Sequence, residues 1–260
     1  MMFGTVLATE FLKLRRSKVT WGTLAAFSIA PLAIALFMWI VREPGRAAQM
    51  GLLGTKANLA GLEATWPSYL SMLTLVVGFM GMILLAFVVA YLFGREYTDL
   101  TAKNMLALPV GRHWFVTAKL VVAAVWWLVL VAAVLIEAFA VGSLLDLPGF
   151  SMALAMGAIG NALLSAGMSY LLVPIVAWIA TLGRGYMPPL AFALFALALG
   201  NVFGKTGWAV WFPWSIIPLM IGAVGQPQTL PVGSYVVAAL TFVVGVTATI
   251  AQVRWADTAQ

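Results

Sequence analysis

The chain alternates long apolar runs with short stretches that carry its few charges. Six runs of mainly apolar residues approach or exceed the length that a helix needs to cross a bilayer core of roughly 30 Å. They extend from about 21 to 41, 69 to 93, 120 to 145, 150 to 181, 188 to 203 and 232 to 253. This pattern predicts an all-α, polytopic membrane protein with six transmembrane helices in a single domain over residues 1–260.

A further apolar stretch, residues 208–222, lies between the fifth and sixth runs. It is short, and Pro213 and Pro218 interrupt any regular helix there. The sequence therefore predicts a broken, re-entrant segment on the outer side, within residues 205–230. Such backbone must be buried against protein because lipid cannot satisfy its polar groups.

An amphipathic segment precedes the first run. If residues 1–19 are helical, Phe3, Leu7, Phe11 and Leu14 fall within one arc of about 80°. We expect an interfacial helix lying in the membrane plane. Its characteristic residues are Phe11, Lys13, Leu14, Arg15 and Arg16. A simple anchor without a docking role remains the alternative.

Composition supports a membrane protein. Hydrophobic residues make up 63% of the chain and charged residues only 8%, with a mean hydropathy of +1.05, whereas a soluble domain has about a quarter charged residues. The absence of cysteine excludes disulfides and thiolate chemistry. The net charge of +6 arises from cations in short loops, so it indicates topology and no nucleic-acid partner.

The distribution of Lys and Arg predicts the orientation. Under the six-span topology, ten of the 14 cations lie on one side, which should be cytoplasmic. They are Lys13, Arg15, Arg16, Lys18, Arg95, Lys103, Arg112, Lys119, Arg184 and Arg254. Arg42, Arg46, Lys56 and Lys205 lie opposite. We therefore expect a protein of the plasma membrane with both termini in the cytoplasm.

The longest predicted cytoplasmic connection, residues 94–119, reads GREYTDLTAKNMLALPVGRHWFVTAK. Asp99 is a suitable N-cap for a short helix from Leu100 to Leu108, which Pro109 and Gly111 would end. So short an exposed helix suits a protein partner that buries it. A solvated hairpin is the alternative.

Two stretches, EFLKLRRSK before the first run and the order E, T, LALPV, R, AK in the connection, resemble the permease subunits of type-2 ABC exporters. The resemblance is closest to the small six-span kind associated with bacitracin or lantibiotic self-protection and drug efflux. It implies a coupling helix that docks on a separate ATPase. Carried over, the coupling residues are Arg95, Glu96, Tyr97, Asp99, Thr101, Lys103, Asn104 and Arg112, and Lys119 anchors the return.

Other candidates for chemistry are few. Glu137 is the only charged residue well inside a run, and with Asn161 it marks a possible substrate path. It could equally be a structural carboxyl packed against Asn161 or Ser165. The stretch from Gly200 to Thr206 resembles a phosphate-binding loop but is one residue short and lacks the required context. One histidine, His113, makes no metal site.

The sequence thus predicts a non-enzymatic transport subunit without a cofactor of its own. Two copies would pair and recruit two ATPase subunits, which bind ATP and Mg, to export an amphipathic compound or antimicrobial peptide. A membrane scaffold or sensor that uses the same docking loop is one alternative. An ion-coupled secondary carrier with Glu137 as proton relay is another.

Overall fold

The computed structural model describes residues 2–52, 63–101 and 110–255, and within these ranges it is all-helical. This confirms the all-α part of the predicted fold class. The helices are α1 (Met2–Arg15), α2 (Lys18–Arg42), α3 (Pro44–Gln49), α4 (Trp66–Thr98), α5 (Arg112–Leu144), α6 (Met152–Leu182), α7 (Met187–Phe203), α8 (Ile216–Met220) and α9 (Val232–Trp255).

Five of these helices are long and apolar enough to cross a membrane, namely α2, α4, α5, α6 and α9. They coincide with five of the six predicted runs, because a long apolar run with intact helix propensity has few alternatives in lipid. The remaining run forms α7, whose 17 residues span about 25 Å. That length is slightly below the hydrocarbon thickness.

The helices pack through small residues that admit a neighbour. At Gly245 of α9, an added Cβ would lie 2.6 Å from the backbone of Pro174 in α6. The Thr249 hydroxyl donates to the Pro174 carbonyl over 3.3 Å. Close backbone approach of this kind is how membrane helices gain contact without a hydrophobic driving force.

Trp127 lies fully buried inside the bundle. Its indole N–H donates to the Ala166 carbonyl over 3.0 Å, and its ring stacks on Phe27 with centroids 5.7 Å apart. Gly81 makes room, since a Cβ there would lie 2.6 Å from the Trp127 ring. A single side chain thus joins α2, α4, α5 and α6.

The segment between α7 and α9 forms no continuous helix, and its predicted re-entrant path stays a prediction. Two short 3₁₀ turns, Ala209–Trp211 and Pro213–Ser215, lead into the five-residue α8. Gly200 of α7 directly abuts the carbonyl group of Trp214, so its Cα–H must face backbone. This close approach explains the first glycine of the stretch that resembles a phosphate-binding loop.

The N-terminal helix ends earlier than the predicted boundary at residue 19. Ser17 caps α2 by accepting a hydrogen bond from the Val19 N–H, so a new helix begins at Lys18. The buried stripe of α1 is Val6, Glu10 and Leu14, and the expected apolar residues Phe3, Leu7 and Phe11 flank it. Phe3 contacts Trp114 at the start of α5, with ring centroids 4.9 Å apart.

The connection predicted at residues 94–119 is shorter in the structure. α4 continues to Thr98 and α5 begins at Arg112, because charged residues at both helix ends find partners inside the protein. Leu100 has a φ of +57°, a left-handed conformation that ends α4 and does not start a helix there. The rest of the predicted Leu100-to-Leu108 helix, with Lys103 and Asn104, lies outside the described residues.

Candidate functional site

Four charged side chains from three helices meet beneath the α4–α5 connection, and we refer to Glu10, Lys13, Glu96 and Lys119 as the base cluster. Lys119 Nζ lies 2.8 Å from Glu10 Oε2 and 3.1 Å from Glu96 Oε1. Lys13 Nζ lies 2.7 Å from Glu10 Oε1 and 2.8 Å from Glu96 Oε1. The two ammonium groups and two carboxylates alternate around a closed ring.

The base cluster is buried and well satisfied. The side chains of Glu10, Lys119 and Glu96 are 2%, 4% and 7% exposed, and that of Lys13 is 33% exposed. Lys119 also donates to the Leu92 carbonyl over 2.7 Å, which gives all three ammonium protons an acceptor. Charges can be buried in this way only when they are paired and hydrogen-bonded.

Local sequence explains how α1 reaches the base cluster. Val6, Glu10 and Leu14 recur at intervals of four, so they share one helix face. Val6 packs on Phe115 and Ala118 of α5, one residue before Lys119. The apolar contact positions the two helices, and the carboxylate and ammonium then meet between them.

The end of α4 is shaped around Glu96. The Thr101 N–H donates to the Glu96 carbonyl over 2.9 Å, and the Leu100 N–H donates to the Tyr97 carbonyl over 3.2 Å. These two bonds form a Schellman motif, with Leu100 in the position that usually belongs to glycine. The motif brings the Thr101 hydroxyl within 2.6 Å of Glu96 Oε2. The first residue of the connection is thereby fastened to the base cluster.

Electrostatics favour the charged state of Lys13. Burial alone would lower the pKa of its ammonium group, but hydrogen bonds to Glu10 and Glu96 outweigh burial and raise the pKa above its ordinary value of 10.5. Lys13 is therefore protonated at neutral pH. By residue type the ring pairs two bases with two acids, so its formal net charge is zero.

The remaining predicted coupling residues lie around this base. Arg95 and Asp99 form a partly exposed pair with Nε and Oδ2 3.0 Å apart, and Tyr97 is half-buried. Arg112 donates to the carbonyls of Val253 and Arg254 at the end of α9, over 3.2 and 3.0 Å. A cation satisfies helix C-terminal carbonyls well.

The predicted interfacial residues divide between two environments. Lys13 joins the base cluster and Leu14 is buried, while Phe11 is half-buried. Arg15 and Arg16 remain exposed.

The predicted substrate-path residues are not brought together. Glu137 is half-buried near the Tyr69 hydroxyl, with which it interacts electrostatically, and Asn161 is exposed. Within the described ranges, neither Asn161 nor Ser165 hydrogen-bonds Glu137, and the buried hydroxyls of Tyr69 and Ser165 have no hydrogen-bond partner.

Sequence reasoning missed Glu10. The available signal was an acidic residue at the centre of an otherwise apolar helical stripe, which implies a basic partner. The resemblance implies that Lys119 anchors the return of the connection, and its burial against Glu10 cannot be read from spacing.

Comparison with known proteins identifies the class of protein that carries this arrangement. The model of the ABC-2 family transporter proteins matches residues 6–200, which include the base cluster and helices α2 to α6. The chain belongs to this family and is a multi-pass membrane subunit of an ABC transporter.

A particular relative is the bacitracin transport permease protein BCRB of Bacillus licheniformis. It is 26% identical over 182 residues, covering 70% of this chain and 88% of that protein. The chain is thus similar to a bacitracin permease along most of its length.

Proposed function

We propose that this chain forms the membrane path of an ATP-driven exporter and receives mechanical work from a separate ATPase through the α4–α5 connection. The observation that carries the proposal is the base cluster, which joins both ends of that connection to α1. Family membership supports an ATPase partner in general. The base cluster supports a specific route by which its movement would reach the membrane helices.

The proposed topology has six spans, with α7 as the fifth. Its slightly short length of about 25 Å is compatible with local thinning of the bilayer. The excess of cations on the side of α1 and the α4–α5 connection supports a cytoplasmic location for both termini. α1 would then lie at the inner interface, and the broken segment around α8 would lie at the outer side.

The coupling route begins at the exposed Arg95–Asp99 pair and Thr101, where an ATPase would make contact. Displacement of the connection would pull on Glu96 and Lys119, which lie on α4 and α5 and are held in one ring of ion pairs. Because the cost of separating buried charges is high, α1, α4 and α5 would move as a unit. Closure of the ATPases would thus become a rigid displacement of the bundle.

The proposed cargo is an amphipathic compound or antimicrobial peptide. The similarity to a bacitracin transport permease makes bacitracin the first compound to test. Two copies of the chain would pair and bind two ATPase subunits, and ATP with Mg would be held by those subunits. This chain would contribute no catalytic group.

The proposal can be tested in proteoliposomes that contain the chain and its ABC ATPase. The variant Arg95→Ala/Asp99→Ala removes the partly exposed pair beside the connection. We expect it to lower ATPase co-purification and ATP-dependent bacitracin transport at least tenfold. The matched control is Glu43→Ala/Arg46→Ala, which removes an exposed pair, 3.9 Å apart, from the opposite end of α2. This control should leave both activities within about twofold.

Three outcomes would contradict parts of the proposal. Equal effects of the two double variants would show that the Arg95–Asp99 pair has no specific part in ATPase docking. ATPase binding without ATP-dependent transport would instead support a scaffold or sensor. Transport driven by an ion gradient without any ATPase, and abolished by Glu137→Gln, would support a secondary carrier.

A further inference from the structure

An apolar groove of about 590 Å³ lies between α2, α4 and α7, and no residue of the base cluster lines it. Its walls include Gly22 and Ala26 of α2, Phe87 of α4, and Leu190 and Leu194 of α7. Gly22 opens the groove, since an added Cβ there would meet no atom within 4 Å. The volume is within the roughly 300–1,000 Å³ that proteins use for small ligands.

One end of the groove is cationic. Lys18 lines it at the first residue of α2, beside the exposed Arg15 and Arg16. The ammonium group of Lys18 forms no ion pair with any residue in the described ranges. An apolar channel that ends at an unpaired cation matches a ligand with one apolar chain and one anionic head.

We propose that this groove binds an anionic phospholipid of the inner leaflet, with an acyl chain along Gly22 and Ala26 and the phosphate at Lys18. The inference takes from the proposed function only the orientation that places the start of α2 at the cytoplasmic interface. Basic pockets between membrane helices on that side commonly hold anionic headgroups. Lys18 extends to the headgroup level because its apolar stem lies along the groove.

The shape and lining of the groove suit a lipid chain. Apart from Lys18 and Thr23, the side chains that line its volume of about 590 Å³ are apolar. A flexible hydrocarbon chain can follow such a narrow channel. The charge at the mouth then selects an anionic head over a zwitterionic one.

The test measures lipid retention by the full-length chain. The protein is purified in detergent, incubated with phosphatidylglycerol or phosphatidylcholine of identical acyl chains, and examined by native mass spectrometry. We expect one retained phosphatidylglycerol per chain. Lys18→Gln should weaken phosphatidylglycerol retention about fivefold, corresponding to roughly 1 kcal/mol for one basic residue at an anionic surface, and should leave phosphatidylcholine unchanged.

Filling the groove provides the second arm. Gly22→Trp should abolish retention of the tightly bound lipid. Gly167→Trp on α6 is the matched control, because Gly167 is likewise exposed and free of neighbours within 4 Å but lies outside the groove. It should retain the lipid. Should Gly22→Trp fail to fold, the exposed Lys18→Gln variant still decides the question.

Two results would overturn the proposal. One is retention that is the same in wild type, Lys18→Gln and Gly22→Trp. The other is a photo-crosslinker at position 22 that captures a second copy of the chain instead of phosphatidylglycerol. Neither measurement involves the ATPase or transport, so failure here leaves the exporter proposal standing, and failure of the exporter proposal leaves lipid retention to be judged separately.

Discussion

The carboxylates at the two ends of the α4–α5 helix pair differ in burial and in hydrogen-bond partners. At the end that holds the base cluster, Glu96 is buried and lies within hydrogen-bonding distance of two ammonium groups and a hydroxyl. At the other end, Glu137 lies about two turns from the end of α5, half-buried beside a Tyr69 hydroxyl that has no hydrogen-bond partner. Glu96 is thus held by three polar partners, whereas Glu137 is partly exposed.

This difference shows what allows a charge to be buried near a membrane. The base cluster has equal numbers of acids and bases, so its members compensate one another's desolvation. Glu137 has no cationic partner among the described residues, and its partial exposure relieves the cost. We therefore expect substitutions in the base cluster to cost more folding free energy than a substitution of Glu137.

The largest effect should follow Lys119→Met. It removes one cation and leaves Glu10 and Glu96 buried with only Lys13 between them, which should cost about 3–5 kcal/mol of folding free energy. Thermal unfolding in detergent measures the loss. The exposed Lys205→Met should change stability by no more than about 0.5 kcal/mol.

A charge-balanced variant separates the ion pairs from simple packing. Adding Glu10→Gln to Lys119→Met leaves Lys13 paired with Glu96, so part of the lost stability should return. If the loss of folding free energy in the double variant equals the sum of the losses in the two single variants, the ring does not act as a unit.

Lys13→Met should have a smaller effect of about 1–2 kcal/mol, since Lys13 is one-third exposed and solvent screens its interactions. The raised pKa of Lys13 fixes the pH dependence. Its stabilisation is complete below the ordinary value of 10.5 and disappears as the pH rises through the higher folded-state value. The stability difference between wild type and Lys13→Met should be constant from about pH 7 to 9 and shrink above that window. A difference that grows with rising pH would refute the assignment.

Backbone strain can also be compared at the two ends of the α4–α5 pair. Leu100 at the base-cluster end and Asp146 at the other end both have left-handed φ values, of +57° and +52°. Leu100→Gly should stabilise the chain by about 1 kcal/mol, because glycine adopts this conformation without strain and Leu100 is exposed. Asp146→Gly should gain less, since aspartate tolerates the region better. Chemical denaturation of both variants tests the order, and a larger gain for Asp146→Gly would reverse it.

The smallest effect should follow Glu137→Gln. A near-isosteric amide keeps the packing and removes a charge that has no ion-pair partner among the described residues, so stability should change by less than about 1 kcal/mol. ATP-dependent transport should persist at nearly the wild-type rate. Destabilisation as large as that of Lys119→Met would mean that the two ends are not different after all.

The sequence was sufficient to predict the helical fold and most helix positions. Each apolar run must satisfy its own backbone in lipid, which leaves helix as the solution, and the prolines at 213 and 218 mark the broken segment locally. These features depend on neighbouring residues. They can be read without knowing the partner of any side chain.

The candidate site was only partly predictable for the opposite reason. Glu10 and Lys119 are 109 positions apart, and Lys13 and Glu96 are 83 apart. Spacing in one sequence does not reveal such pairs, so the sequence predicts Glu96 as part of the coupling element but does not predict its burial beneath the connection. The continuation of α4 to Thr98 follows from that same burial.

The hydrogen bonds from Arg112 to the carbonyls of Val253 and Arg254 can form only late in the synthesis of the chain. Their acceptors lie 141 and 142 positions later in the chain. At 5–20 residues per second, a ribosome needs roughly 7 to 28 seconds to make that stretch. During this interval water must solvate the half-buried guanidinium in place of those carbonyls, so the contact between the start of α5 and the end of α9 forms late.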